Sequence, residues 1–140
     1  SGSDIESTGT LITGMEHENR RLLLFAVHPV PPMGGISWRS RNTQLREISR
    51  WVRESGLPCV VMGDLNATPW CSGMRALREA STLSLSGGAA ARPTWSASSL
   101  FAIPIDHSLC TPELRILQRE IGPDVGSDHR PQSVQLVWAH

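Results

Sequence analysis

Three short stretches between residues 63 and 131 of this 140-residue chain limit what it can fold into: Gly63-Asp64-Leu65-Asn66, Ile105-Asp106-His107 and Gly126-Ser127-Asp128-His129-Arg130-Pro131. Each sets a carboxylate, with an Asn or His beside it, directly after or inside an apolar run. A strand ending there presents those groups at the edge of a sheet, so the fold has to bring several such ends together. Taken singly, each stretch is also an ordinary turn, because Asp and Asn side chains hydrogen-bond their own backbone and tolerate left-handed conformations. Their joint occurrence in this order is what carries information.

Between them the pattern alternates strand and helix, an α/β order. Arg21 to Val27 is an apolar run, too short for most helices and closed by Pro29, so a buried strand is expected with His28 at its C-terminal end. Val30 to Gly35, rich in Pro and Gly, should be a loop. From Ser37 to Glu54, Trp38, Leu45, Ile48, Trp51 and Val52 fall at helical spacing, with Gly56 as C-cap and Pro58 as the stop. Cys59 to Met62 is a strand that ends at Gly63 and delivers Asp64 and Asn66. A short helix should run from Ser72 to Ala80, and Ser81 to Ala91 should be a flexible connection. Thr94-Trp95 and Ile103-Pro104-Ile105 are expected as strand fragments, Leu114 to Leu117 as a strand or turn, and Ser133 to Trp138 as a half-exposed strand. Residues before Leu22 form a polar, unpatterned lead-in, with His17 and His140 in mobile ends. Residues 1–8 are set aside as a cloning scar and disordered lead-in, and 9–140 are assigned to the domain.

Composition narrows the partners. Net charge is zero and all 13 basic residues are Arg; Arg favours bidentate contacts with carboxylate or phosphate, and a GC-rich genome produces the same bias. A neutral chain does not suit tight non-specific binding to duplex nucleic acid. No apolar run approaches the roughly 20 residues that span a bilayer. Cys59, Cys71 and Cys110 match neither a disulfide framework nor a zinc spacing. Cys59 is expected inside a strand; Cys71 and Cys110 are free thiols, or a pair if the protein is exported.

Gly-Asp-Leu-Asn, then Ile-Asp-His, then Ser-Asp-His-Arg-Pro resembles the endonuclease/exonuclease/phosphatase superfamily over about Leu22 to Val137. The superfamily includes pancreatic-type deoxyribonucleases, apurinic endonucleases, inositol-polyphosphate phosphatases and sphingomyelinases. The resemblance implies the C-terminal half of a four-layer α/β/β/α sandwich, with a mixed, mostly antiparallel sheet and covering helices. In such proteins the first half supplies an Asn and a metal-binding Glu, roles that Glu6, Glu16 and Glu18 of the lead-in do not fit. The chain is therefore expected to be a partial domain, inactive alone, that associates with itself, a partner chain or an N-terminal half.

The same resemblance implies roles. Asp64 would orient or deprotonate the attacking water, and Asn66 would hydrogen-bond the scissile phosphate. Asp128, with Asp64, would hold metal. His129 would contact phosphate, and Asp106 would accept its other ring N–H, fixing the tautomer and raising its pKa. His28 resembles the strand-end His of the deoxyribonuclease branch, which acts on the leaving group or phosphate; a satisfied core His is the alternative. Carboxylates without a Cys/His cluster suit Mg²⁺ or Mn²⁺ rather than Zn²⁺.

Adjacent residues on a strand point to opposite faces, which argues against a Ser127-Asp128-His129 relay and makes Ser127 a turn hydroxyl and His107 structural. Trp70 would stack on a base, sugar or lipid headgroup, or pack on the nearby helix. Arg39 and Arg41 would meet an anionic substrate or stand on a solvated helix face. The function expected is a divalent-metal-dependent phosphoesterase acting on a phosphate ester of nucleic acid, a lipid headgroup or a small molecule. The alternative is a non-catalytic metal- or phosphate-binding, or degenerate, domain. The neutral charge and the scarcity of Phe and Tyr favour the lipid or small-molecule branches. The segment starting at His28-Pro29 resembles a bacterial subgroup whose catalytic domain follows membrane helices, which leaves a bacterial cytoplasm or periplasm open.

Overall fold

The apolar run at residues 22–27 becomes a buried strand of a five-stranded sheet. In the computed structural model, which describes residues 9–31, 33, 35–85, 92–98 and 101–140, five strands make this sheet: β1 (Thr10–His17), β2 (Arg20–Val27), β3 (Cys59–Asp64), β4 (Ser84–Leu85) and β7 (Asp106–Cys110). Their spatial order is β1-β2-β3-β7-β4. Only β2 and β3 run parallel, joined through α1 (Gly35–Ser55); the other pairs are antiparallel. A parallel pair needs such a crossover, and a helix is the usual one. The rest comprises α2 (Ser72–Ser81), the hairpin β5 (Trp95–Ser98) with β6 (Phe101–Ile103), and the ribbon β8 (Leu114–Ile121) with β9 (Gln132–Trp138). This is the expected mixed α/β class with a mainly antiparallel sheet and covering helices.

The alternation of strand side chains divides the core in two. On one face Phe25, Val27, Val61 and Leu109 pack with Leu45, Ile48 and Val52 of α1 and Met74 and Leu77 of α2. On the other, Leu22, Val60 and Cys110 meet Leu114 and Trp138 of the β8–β9 ribbon, with Leu24, Met62, Ile116 and Leu136 at its margin. A strand covered on both faces needs a continuous apolar run rather than an alternating one. Of the apolar residues at helical spacing in α1, Trp38 is left out of the core: it is exposed, with the Arg39 guanidinium 5.4 Å from its ring centroid.

Several expectations are corrected. The polar lead-in contains β1, which pairs with β2 from Thr10↔Val27 to His17↔Arg20. Glu18 and Asn19 between them have φ of 54° and 60°, as a two-residue hairpin turn requires. Most β1 side chains are exposed, so this edge strand needs no apolar alternation and shows no strand signal; His17 ends it rather than lying in a mobile tail. Ser84–Leu85 join the sheet beside β7 instead of forming a flexible link, while residues 86–91 of that stretch lie outside the described residues, as do residues 1–8. Leu114 to Leu117 belongs to a strand that continues to Ile121. Gly35, expected in the loop, begins α1; Val30, Pro31 and Met33 are irregular, and Pro32 and Gly34 lie outside the described residues. Of the expected fragment Ile103-Pro104-Ile105 only Ile103 is in a strand, the end of β6; Pro104 and Ile105 link it to β7, which Asp106 starts. All three cysteines are free thiols, with Cys59 and Cys110 buried and Cys71 accepting a hydrogen bond from the Met74 amide as N-cap of α2. Among the described residues, no helix is long and apolar enough to cross a membrane.

Gly63 lets β3 approach β2 where the site begins. Its φ is +135°, and a Cβ there would lie 2.2 Å from the Val27 carbonyl oxygen. Gly63→Ala should therefore cost about 1–3 kcal/mol in backbone strain alone, with the clash adding to it. Urea unfolding of the two proteins measures this; equal midpoints would show that the sheet yields freely there.

Candidate active site

The antiparallel register of β3 and β7 sets the last residue of one against the first of the other, Asp64↔Asp106. Residues paired in this way share a face, and two like charges placed opposite each other are destabilising. His129 lies against both. Its Nδ1 is 3.0 and 3.2 Å from the two Asp106 carboxylate oxygens, and its Nε2 is 3.5 Å from Oδ2 of Asp64. His28, at the end of β2, brings its Nε2 to 3.5 Å from the same Asp64 oxygen. The donor atoms of Asp64, Asp106 and His129 fall within 4.8 Å of one another.

Each group is held by its neighbours. The Asn66 amide donates to Asp64 Oδ1 at 2.8 Å, closing a turn in which Asn66 takes the left-handed φ of 47°, a conformation that Asn tolerates better than most residues. Asn66 Nδ2 donates to the Pro29 carbonyl at 2.7 Å, which links this turn to the segment after His28. Arg41 of α1 is buried and donates through Nη1 to the Asn66 carbonyl at 2.8 Å and through Nε and Nη2 to Asn42 Oδ1. On the β7 side, Thr94 Oγ1 accepts from the Ile105 and Asp106 amides, and Arg119 Nη2 donates to the Asp106 carbonyl at 2.9 Å. The His129 segment is docked by backbone pairing: Ser96 donates to the Asp128 carbonyl and Arg130 to that of Thr94. Ser127 Oγ accepts the His129 amide at 3.2 Å, a turn hydroxyl in its observed position.

Burial pushes the Asp64 carboxyl up and the nearby Asp106 charge adds to this, against the lowering effects of the Asn66 amide, His129 and His28. Burial alone would lower the His129 pKa. The Asp106 hydrogen bond and the charges of Asp106, Asp64 and Asp128 outweigh it and hold the imidazole above its ordinary value. The site thus combines a less acidic carboxyl with a readily protonated imidazole, facing a cavity of about 480 Å³.

Five of the residues singled out from sequence, Asp64, Asn66, Asp106, His129 and His28, come together here. Asp128 stands apart from the Asp64, Asp106 and His129 group: its carboxylate is exposed and accepts from the Trp95 indole at 3.1 Å, which lowers its pKa. His107 turns to the opposite side, where Nε2 donates to the Ala67 carbonyl at 2.6 Å and burial lowers its pKa. Trp70 is exposed and does not line the cavity, Arg39 lies over Trp38, and Arg41 is buried rather than on a solvated face. Sequence reasoning missed Thr94, Trp95 and Arg119 as parts of the site. Their only local mark was a Thr-Trp fragment and one Arg in an ordinary strand.

Asp106→Asn removes the charge that raises His129 and should move its titration midpoint down, measurable from the ring-proton shifts. The raised His129 also contributes stability that is fully present below its unfolded pKa of about 6.5 and is lost as pH rises through the folded value. In Asp106→Asn that pH-dependent part of stability should shrink. A His129 midpoint unchanged in the variant would remove Asp106 as the cause.

Residues 4–129 match the Endonuclease/Exonuclease/phosphatase family, whereas no curated protein matches the chain in sequence. Among solved structures it resembles an endonuclease/exonuclease/phosphatase family protein from Bacteroides thetaiotaomicron, at 21% identity and a TM-score of 0.68 over 88% of this chain and 52% of that one. It also resembles a mannosyl-6-phosphatase of Bacteroides thetaiotaomicron VPI-5482, at 19% identity and 0.63 over 86% and 53%. Similarity to a D. rerio TDP2 humanized by 14 mutations is 17% in identity and 0.74 in TM-score, over 91% and 60%. The chain spans about half the length of the first two. The family match covers most of the motif-bearing chain, and the chain belongs to the Endonuclease/Exonuclease/phosphatase family.

Proposed function

We propose that this chain carries the hydrolytic half of a divalent-metal-dependent phosphoesterase site. The observation that carries this reading is the His129 imidazole set between Asp106 and Asp64 at a sheet edge, facing an open cavity. Phosphoester hydrolysis needs a positioned water, a proton for the leaving oxygen and neutralised charge on the phosphate.

Asp64 suits the first task, because burial makes its carboxyl a better base than an exposed Asp. His129 suits phosphate contact and proton delivery: Asp106 takes Nδ1–H, so Nε2–H is the end directed toward Asp64 and the cavity. Asn66 has one amide hydrogen on Pro29 and a second for a phosphate oxygen. His28 shares the Asp64 oxygen and is exposed, as a group meeting a leaving oxygen needs to be.

The donor set is oxygen-rich and without thiolate, and so fits Mg²⁺ or Mn²⁺, which keep several waters and bind one or two carboxylates. Asp64, whose donor atoms fall within 4.8 Å of those of Asp106 and His129, would hold the ion, with Asp128 as second carboxylate once it leaves the Trp95 indole. The ion would supply charge neutralisation at the phosphate. The chain's span of about half its structural relatives supports assigning residues 9–140 to the C-terminal part of the domain, with an Asn and a metal-binding Glu supplied from outside it. The substrate remains one of nucleic acid, lipid headgroup or small phosphoester, and the compartment bacterial cytoplasm or periplasm.

The test is hydrolysis of bis(p-nitrophenyl) phosphate with Mg²⁺ or Mn²⁺, comparing this chain with a longer form that includes the rest of the domain. The longer form should be active, the chain alone inactive, and EDTA should abolish turnover. Asp64→Asn, His129→Ala and Asp106→Ala should each reduce it by roughly 10²–10⁴-fold. Near-normal turnover in all three would sink the mechanism, and activity in neither form would favour a non-catalytic metal- or phosphate-binding domain.

A further inference from the structure

The cavity has two chemically different kinds of lining. Charged and polar groups, Asp64, Asn66, His28, His129, Arg41 and Thr68, line it together with Cys71, and its apolar lining is Pro31, Met33, Trp95, Ile103 and Ile105. Met33 is 80% exposed and Ile103 40%, and both come to this concave surface beside the site. Scattered apolar residues on a surface need no explanation, but apolar side chains gathered in a cleft next to polar groups mark a binding surface.

The apolar lining offers few hydrogen-bonding partners. Pro31, Ile103 and Ile105 have no side-chain donor or acceptor, and Met33 has only a weak thioether. The indole N–H of Trp95 already donates to Asp128. A sugar hydroxyl pressed against it would lose water without gaining a bond, whereas an aryl or alkyl group would lose nothing.

Resting on the phosphoesterase reading above, we propose that the site takes phosphoesters whose alcohol is apolar, an aryl or alkyl group, in preference to sugar phosphates. The phosphate lies against His28, Asn66 and His129, and the alcohol lies on Met33, Ile103 and the Trp95 ring. Met33 and Ile103 are then specificity-determining residues for the alcohol side.

Titration calorimetry of this chain with Mg²⁺ present, using inorganic phosphate, phenyl phosphate and a hexose 6-phosphate, tests the preference, with ring-proton shifts of His129 and the indole shift of Trp95 locating the ligand. Burying about 60 Å² of ring is worth about a factor of ten, so phenyl phosphate should bind at least about tenfold more tightly than the other two and should move the Trp95 signal. In Met33→Ser combined with Ile103→Ser, both sites being exposed enough to tolerate the change, the phenyl-to-inorganic affinity ratio should fall toward one. A hexose phosphate that binds as tightly as phenyl phosphate, or a ratio unaltered in the double variant, overturns the preference while leaving the hydrolase reading intact. If no phosphate compound moves His129, the site reading fails and the preference fails with it.

Discussion

Two carboxylates face each other across the β3–β7 register at Asp64 and Asp106, and much of the site's architecture answers that repulsion. A sheet edge with like charges directly opposed is unfavourable unless a cation intervenes. His129 comes between them from a segment far along the chain, with Asp106 on one nitrogen and Asp64 near the other, and its raised pKa favours the charged form there. The backbone bonds of Ser96 and Arg130 to the Asp128 and Thr94 carbonyls then become necessary, because they hold the imidazole where the charge is. The Asp106 contact that raises the His129 pKa therefore acts together with the backbone bonds that dock its segment onto the sheet.

The other supports are steric and polar. Gly63 allows β3 to run against the Val27 carbonyl, so Asp64 emerges beside His28. Asn66 then reverses the chain in a left-handed conformation, and the buried Arg41 guanidinium caps its carbonyl from α1. Thr94 and Arg119 hold the start of β7 from the other side. The acidic and imidazole groups are loop or strand-end residues, but their partners belong to packed elements, an arrangement that preorganises a site on a rigid scaffold.

Strong local periodicity made much of the fold legible in advance. The run at 22–27, the helical spacing of Leu45, Ile48 and Val52, and the β-branched run before Gly63 each corresponded to an element because the burial that selects those residues is severe. Strand β1 was not legible, since an edge strand with mostly exposed side chains has no reason to alternate. Strand β7 was not seen: Asp106-His107-Ser108 is polar for a buried strand, and the Asp106 and His107 side chains are met by His129 and the Ala67 carbonyl rather than by any local pattern.

By itself, the sequence determined which chemistry was available: two acidic strand-edge motifs, a Ser-Asp-His segment, a strand-end His, and apolar runs of the right length to present them. Those are local properties, written into residue type and spacing. Only the tertiary structure decided that Asp64 and Asp106 stand face to face, with the far nitrogen of His129 3.5 Å from Asp64. It also decided that Asp128 turns to Trp95, and that Arg41 is buried under the Asn66 turn. Register, chain reversal and desolvation set these outcomes, and all three depend on contacts between residues far apart in the chain.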